Sequence, residues 1–234
     1  MNIVITGGSK GMGKALAAKY ADNGNKVFIC ARNEKELADT AFEINKKNNN
    51  ELVKYLPADI SVKPSAEKFA QWLAENNVVP DILINNAGQF IPGSIYNEGD
   101  GLLEKMISAN LYSAYYITRA LLPPMMKKKS GHLFNMCSIA SLSAYHNGGS
   151  YSISKYALMG FSKNLREELK PYDIKVTAVY PGAVYTSSWA DSGVEPKRIM
   201  EIGDITEMIY AASLLSPQAC VEDIVIRPLQ GDLP

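Results

Sequence analysis

Four groups of residues in this chain have the types and the order to do chemistry together. The first is the turn Thr6-Gly-Gly-Ser-Lys-Gly-Met-Gly13, with glycines at Gly7, Gly8, Gly11 and Gly13. Glycine lets a backbone turn with positive φ and lets a pyrophosphate come close, while a following helix N-terminus offers free N–H groups and a positive dipole. The second group is Asn85-Asn86-Ala87-Gly88, the third is Ser138, and the fourth is Tyr151 with Lys155. Residues four apart share one helical face. An ammonium so placed favours a phenolate and predicts a Tyr151 pKa drawn below the ordinary value of about 10. Tyr151 then serves as a general acid and base, and Ser138, at a predicted strand end, hydrogen-bonds the same carbonyl oxygen.

The glycine spacing is Thr-Gly-x-x-x-Gly-x-Gly rather than the Gly-x-Gly-x-x-Gly common in dinucleotide folds. An acid at the end of the second strand ordinarily holds the ribose 2′-hydroxyl of NAD. Here that strand ends Cys30-Ala31-Arg32. Arg32 offers a forked donor for a 2′-phosphate and Lys10 a second charge, which favours NADP(H) and leaves NAD(H) possible. Bland readings stand beside these. The glycine turn can be a tight strand-to-helix turn that binds nothing, and Arg32 and Lys10 can be solvated cations. Ser138 can satisfy local backbone, and a Tyr-x-x-x-Lys spacing is common in a chain with 13 tyrosines.

These residues need a frame to hold them. Apolar runs of strand length alternate with amphipathic runs of helix length. Strands are predicted over Asn2–Thr6, Lys26–Ala31, Leu52–Pro57, Asp81–Asn85, His132–Cys137, Ile174–Tyr180 and Asp223–Arg227. Helices are predicted over Gly11–Asn23, Glu34–Lys47, Ser65–Asn76, Leu102–Lys127, Ser152–Lys170 and Ile205–Leu215. Gly24 is predicted to cap the first helix in a left-handed conformation. Pro123-Pro124 either kinks or ends the fourth. Nearly continuous apolar strand cores predict a parallel sheet covered on both faces, a Rossmann-type doubly wound α/β fold of about seven strands. Ligands of such sheets sit beyond the strand carboxyl ends, where Asn85, Ser138 and Pro181-Gly182 fall.

The 234 residues suit one domain, 1–234, with a substrate lid at roughly 186–203. Lys+Arg and Asp+Glu both number 24, so no global field draws the chain to nucleic acid or an anionic membrane. Hydrophobic residues make up 47%, yet no run is long enough for a membrane span. Cys30, Cys137 and Cys220 are odd in number and lack metal-ligand spacing, so no metal is expected. With no signal peptide before the first strand, the expected setting is cytoplasmic.

Taken together, the glycine turn, Asp59, Asn85 to Gly88, Asn110, Ser138, Tyr151, Lys155 and Pro181-Gly182-x-x-x-Thr186 resemble the short-chain dehydrogenase/reductase family, in its compact, single-domain branch. The resemblance implies an NADPH-dependent oxidoreductase that reduces a ketone or aldehyde reversibly, by hydride transfer. It implies that Tyr151 donates the proton and Lys155 lowers its pKa while binding the nicotinamide ribose. Ser138 orients the carbonyl, and Asn110 holds a water that connects Lys155 to solvent, although Asn110 also reads as a helix-interior polar residue. Asp59 touches the adenine, Asn86, Ala87 and Gly88 line the adenosine ribose, and Thr186 meets the carboxamide. Cofactor contacts are expected also from Gly7, Ser9, Lys10, Gly11, Met12 and Gly13, from Arg32, and from Pro181, Gly182 and Val184.

The chain ends Arg227-Pro-Leu-Gln-Gly-Asp-Leu-Pro, unlike the glycine-pair ending usual in acyl-carrier-protein ketoreductases of the family. A small carbonyl substrate is therefore preferred to the alternative, a 3-oxoacyl-thioester. A dinucleotide-sensing protein without catalysis is the reading from another class; such proteins usually lack the tyrosine or the lysine. Apolar residues such as Tyr112, Tyr116, Leu158 and Phe161 exceed what one sheet face needs, so a homodimer or homotetramer is expected. Other residues are set aside: His146 as a solvent-facing loop residue, His132 as a strand opener, Lys127 to Lys129 as a solvated run beyond a helix, and Cys137 as a small buried hydrophobe. Phe90, Tyr145 and Trp189 divide evenly between lining the pocket and packing elsewhere.

Overall fold

The description covers residues 1–186 and 193–233 of a computed structural model. Trp189 lies outside those residues. Seven strands form one sheet: β1 (Asn2–Thr6), β2 (Lys26–Ala31), β3 (Val53–Pro57), β4 (Ile82–Asn85), β5 (Gly131–Met136), β6 (Ile174–Pro181) and β7 (Asp223–Ile226). Their order is β3-β2-β1-β4-β5-β6-β7 and every pairing is parallel. The chain thus winds outward in both directions from the β1–β4 pair. Side chains of β1 and β4 are almost wholly buried, as a parallel sheet covered on both faces requires.

The helices are α1 (Gly11–Asp22), α2 (Glu34–Asn48), α3 (Lys63–Glu75), α4 (Leu102–Ile107), α5 (Ser113–Lys128), α6 (Gly149–Leu169) and α7 (Ile202–Ser213). In α2 the buried residues Leu37, Thr40, Ala41 and Ile44 keep a three-to-four spacing, and the Asn33 side chain caps the start by accepting the Glu36 N–H at 3.1 Å. Two main core clusters result. One, centred on Ile5, Leu16, Tyr20 and Ile29, lies under α1, α2 and α7, and the other, centred on Val4, Phe69, Leu73 and Leu133, lies under α3, α5 and α6.

The differences from the expected elements have local causes. Helix α3 starts at Lys63 rather than Ser65, because Pro64 in its first turn has a φ already suited to a helix. The expected long fourth helix is two helices joined by a π-helical turn at Ser108–Tyr112. Pro123 and Pro124 neither end nor break α5, which runs to Lys128 with Leu121 and Met125 buried on either side of them. Burial of those two side chains offsets the backbone hydrogen bonds that the prolines remove. Lys127 and Lys128 lie in the last turn of α5 rather than beyond it, near its negative end, and Lys129 ends it at φ 51°. Gly24 follows α1 at φ 75°, as expected.

Candidate active site

The glycine turn joins β1 to α1 and is fastened on two sides. The N–H groups of Gly7 and Gly8 both donate to the Cys30 carbonyl of β2, at 2.8 and 3.1 Å. The Thr6 hydroxyl accepts the N–H groups of Asn86 and Ala87, both at 3.0 Å. The Asn86 amide in turn donates to the carbonyls of Thr6 and Gly7. Gly13 is required by this packing, since a Cβ there would collide with the Gly7 carbonyl and the Asn86 amide. Gly11, at φ 54°, opens α1 toward free space, where an added Cβ would meet only the Thr186 methyl at 3.9 Å. No side chain caps the N-terminus of α1 and no acid lies in its first turn. The first N–H groups are therefore available to an anion, which is the cradle a pyrophosphate needs.

The second half of the site is built where β5 ends. Ser138 follows β5 and opens a short 3-10 turn, its hydroxyl accepting the Ala140 N–H at 3.2 Å while its own N–H donates to Ser141 Oγ. The local backbone role open to Ser138 is thus real. Its side chain also lies close enough to Tyr151 to favour the ionised phenol. Helix α6 starts at Gly149 instead of Ser152, so Tyr151 sits inside its first turn. Glu98 explains the earlier start. Its carboxylate accepts from the Ser150 N–H at 3.2 Å and from the Ser150 hydroxyl, closing the end of the helix. The same strand-end loop is tied again where Gly93 N–H donates to the Asn147 carbonyl at 3.0 Å and the Ser94 hydroxyl bonds the Asn147 side chain at 2.6 Å.

Lys155, one turn on, is buried and donates to the Met136 carbonyl at 2.7 Å. Its ammonium stands 5.8 Å from the centre of the Tyr151 ring. Burial draws Lys155 down to about 8. Tyr151 moves opposite to the expectation: burial pushes its phenol up to about 12, and the neighbouring Ser138 side chain only partly offsets this. The ammonium is engaged by a backbone carbonyl, and desolvation dominates at the phenol. The phenol is consequently protonated across the neutral range, as a proton donor must be.

Asn110 sits in the π-helical turn and is 1% exposed. Its side chain accepts the Gln89 N–H at 2.7 Å and donates to the Gln89 carbonyl at 3.0 Å and the Ser154 hydroxyl at 2.8 Å. It therefore clamps the segment after Gly88 to α6 and is no idle interior amide. Gly88 lies against this clamp, since a Cβ there would come within 2.7 Å of Asn110 Oδ1 and 3.6 Å of Lys155 Nζ. Beneath, Asn85 donates to Thr118 at 2.9 Å and Asn135 at 2.8 Å, and Asn135 donates to Ser162 of α6 at 2.9 Å. This buried network seats α6 on the sheet.

Other expected residues stand in looser relation to the site. Asp59 bonds the N–H and hydroxyl of Ser61 at 3.1 and 2.6 Å, in a turn beyond β3. Val184 is buried and forms a bridge with Met200, Met12 packs partly on the core, and Gly182, after Pro181, donates to Ile226 at 2.8 Å. Lys10 and Arg32 are exposed. Ser9 donates to Glu36 at 3.1 Å. Leu158, taken as surplus to the sheet face, is 2% exposed and belongs to the core, whereas Tyr112 and Tyr115 are open to solvent. His146 is exposed, Cys137 is buried, and His132 is buried with a 2.7 Å hydrogen bond to Thr177. Phe90 places its ring edge-on to Tyr151 at 4.8 Å between centres, so it borders the Tyr151 phenol. Sequence reasoning did not find Glu98, whose hydrogen-bond partner Ser150 is 52 positions away from it.

A family model described as short chain dehydrogenase matches residues 1–196. The chain belongs to the short-chain dehydrogenase family. It is accordingly an NAD(P)-dependent oxidoreductase of CH–OH and C=O groups. An uncharacterised oxidoreductase of Staphylococcus aureus (strain USA300) is 29% identical over 226 residues, covering 97% of this chain and 96% of the relative. Among solved structures, the closed form of serine dehydrogenase complexed with NADP+ is 25% identical with a TM-score of 0.89, covering 100% of this chain and 97% of that one. A β-ketoacyl-[ACP] reductase from Bacteroides thetaiotaomicron is 29% identical with a TM-score of 0.85, covering 98% of this short-chain dehydrogenase and 97% of the reductase.

Proposed function

We propose that this short-chain dehydrogenase reduces a ketone or aldehyde to an alcohol with NADPH, and runs the reverse oxidation with the same groups. The observation that carries the reading is the placing of Tyr151 one turn from the buried Lys155, whose ammonium is 5.8 Å from the centre of the Tyr151 ring, with Ser138 acting on the same phenol and the glycine turn opening an uncapped helix. Two hydroxyls that converge on one point are suited to a carbonyl oxygen. Ser138 donates to that oxygen and polarises it, and Tyr151, protonated at neutral pH, delivers its proton as negative charge develops there.

The residues present fit a dinucleotide. The free N–H groups at the start of α1 would hold its pyrophosphate, and Lys155 its nicotinamide ribose. When bound, the dinucleotide supplies the hydride. The exposed Arg32 and Lys10 support NADP(H) over NAD(H), as does the NADP+ in the serine dehydrogenase complex. Asn110 fixes the Gly88–Gln89 segment and α6 relative to one another, so it positions Lys155 rather than touching substrate. Glu98 holds the first turn of α6 and with it Tyr151.

Tyr112, Tyr115 and Tyr116 pack ring to ring on α5 and its entry, and Tyr115 meets Phe161 of α6 at 5.7 Å. This partly exposed aromatic face supports assembly into a homodimer or homotetramer. Three free cysteines fit a reducing, cytoplasmic setting, and no described helix is long and apolar enough to cross a membrane.

The test is NADPH consumption by the purified protein with simple ketones, aldehydes, keto acids and an acetoacetyl thioester. Loss of absorbance with a small carbonyl compound supports the reading. A strong preference for the thioester would move the assignment to the chemistry named for the Bacteroides relative. Binding of NADPH with no consumption on any compound would leave only a sensing role.

A further inference from the structure

The geometry points to Glu36 as a residue that sets cofactor choice: its carboxylate, held on the Ser9 hydroxyl, favours NAD(H) at the expense of NADP(H). The inference rests on the dinucleotide reading above and deepens it. Ser9 belongs to the glycine turn, and its hydroxyl donates to Glu36 Oε2 at 3.1 Å across 27 residues. The contact is well determined from both sides. Thr40, one helical turn further along α2, donates to the Ser9 carbonyl at 2.8 Å, and Asn33 caps the same helix by accepting the Glu36 N–H. Two bonds therefore lock α2 to the glycine turn, with a carboxylate at the contact.

The consequence follows from charge. Lys10, Arg32 and Lys35, close to this point along the chain, carry positive charge, and all are exposed and in no ion pair among the described residues. They attract a 2′-phosphate. Glu36 opposes them, since a phosphate that takes the Ser9 hydroxyl must displace the carboxylate or stand next to it. A ribose 2′-hydroxyl meets no such penalty and finds an acceptor instead. The end of β2 has no acid, so it gives no hint of this carboxylate, which arrives from the first turn of α2, where Glu34 is the other acid.

The test measures dissociation constants of NADPH and NADH by fluorescence titration, for the full-length protein and for Glu36→Gln and Glu36→Lys. Glu36→Gln keeps an acceptor for Ser9 and removes only the charge. Its preference for NADPH over NADH should rise about tenfold at low salt, through tighter NADPH binding, with NADH affinity changed less than about twofold. Glu36→Lys should exceed that gain, and salt should shrink both. Thermal melting checks that the variants fold. An NADPH:NADH ratio within about twofold of the parent protein in the folded variants overturns the inference while leaving the dinucleotide reading intact. A parent protein that binds neither nucleotide overturns both.

Discussion

The reaction end of the site and the adenosine end are built on opposite plans. At the reaction end Asn110, Ser138 and Lys155 are 1%, 8% and 7% exposed, and each is hydrogen-bonded to backbone or to a neighbouring side chain. At the adenosine end Lys10 and Arg32 are exposed, and the Ser9–Glu36 and Thr40–Ser9 bonds tie the glycine turn to α2. Burial makes the first region stiff and shifts its pKa values: Tyr151 rises to about 12 and Lys155 falls to about 8. Solvent leaves the second region adjustable, with charges that are screened by salt and act additively. The contrast suits an oxidoreductase in which the chemistry must be fixed and the choice of nucleotide can drift.

The largest effect should come from the stiff region. Tyr151→Phe removes the proposed proton donor and should lower turnover about 10²–10⁴-fold. NADPH affinity should stay within about twofold of the parent, because in the proposed mechanism the lost hydroxyl serves the substrate and not the phosphates. Steady-state rates and fluorescence titration on the same preparation check both halves. Near-normal turnover would remove Tyr151 from the mechanism.

A smaller, graded effect belongs to the open region. Arg32→Ser should raise the KM for NADPH about tenfold and leave kcat almost unchanged, in keeping with the loss of one charge-assisted contact. The salt dependence of the NADPH KM should flatten in the variant. An equal fall in kcat would show that the two ends are not separable.

The pH profile sharpens the comparison further. Lys155 has a depressed pKa, so its ammonium exists below about 8 and is lost as pH rises through that value. The kcat/KM for NADPH should bend downward near pH 8, well below the ordinary lysine range. Stability should run differently. The raised Tyr151 pKa means that the unfolded phenol ionises first, so the stability gained from burying it neutral is complete below pH 10. That contribution declines between 10 and about 12, and Tyr20, also raised to about 12, adds to the decline. Melting temperatures from pH 7 to 11.5 and a rate profile over pH 6–9.5 test the two limbs. A flat rate profile would contradict the Lys155 assignment.

The smallest effect is expected at Glu98. Glu98→Gln weakens the cap of α6 by about 1 kcal/mol, so melting should drop by about 2–4 °C. Turnover should fall more than NADPH affinity, since the capped turn carries Tyr151. Equal losses in both would indicate general loosening instead.

Much of this was legible in the chain. The glycine turn, the strand ends at Asn85 and Ser138, and the Tyr151–Lys155 spacing are local patterns, and hydrophobic period alone orders the α/β alternation that positions them. What could not be read depends on contacts between distant segments. Glu98 to Ser150 spans 52 positions, Gln89 to Asn110 spans 21, and Ser9 to Glu36 spans 27. The Tyr151 pKa went the other way for the same reason. Spacing announces a nearby ammonium, but only the folded chain reveals that Lys155 is occupied by the Met136 carbonyl and that both groups are buried. Leu158 was misjudged because α6 is covered on more sides than a helix on a simple sheet face, with α4, α5 and the turn after Ser138 all packed against it.

The most direct measurement follows a deuteride from NADPH labelled at the nicotinamide C4 position into the product formed with a carbonyl compound that the protein turns over. Mass spectrometry should find the label on the new carbinol carbon in the parent protein, and almost none in the same time with Tyr151→Phe. Labelled product at an undiminished rate in that variant, or consumption of NADPH with no label on carbon, would contradict the mechanism.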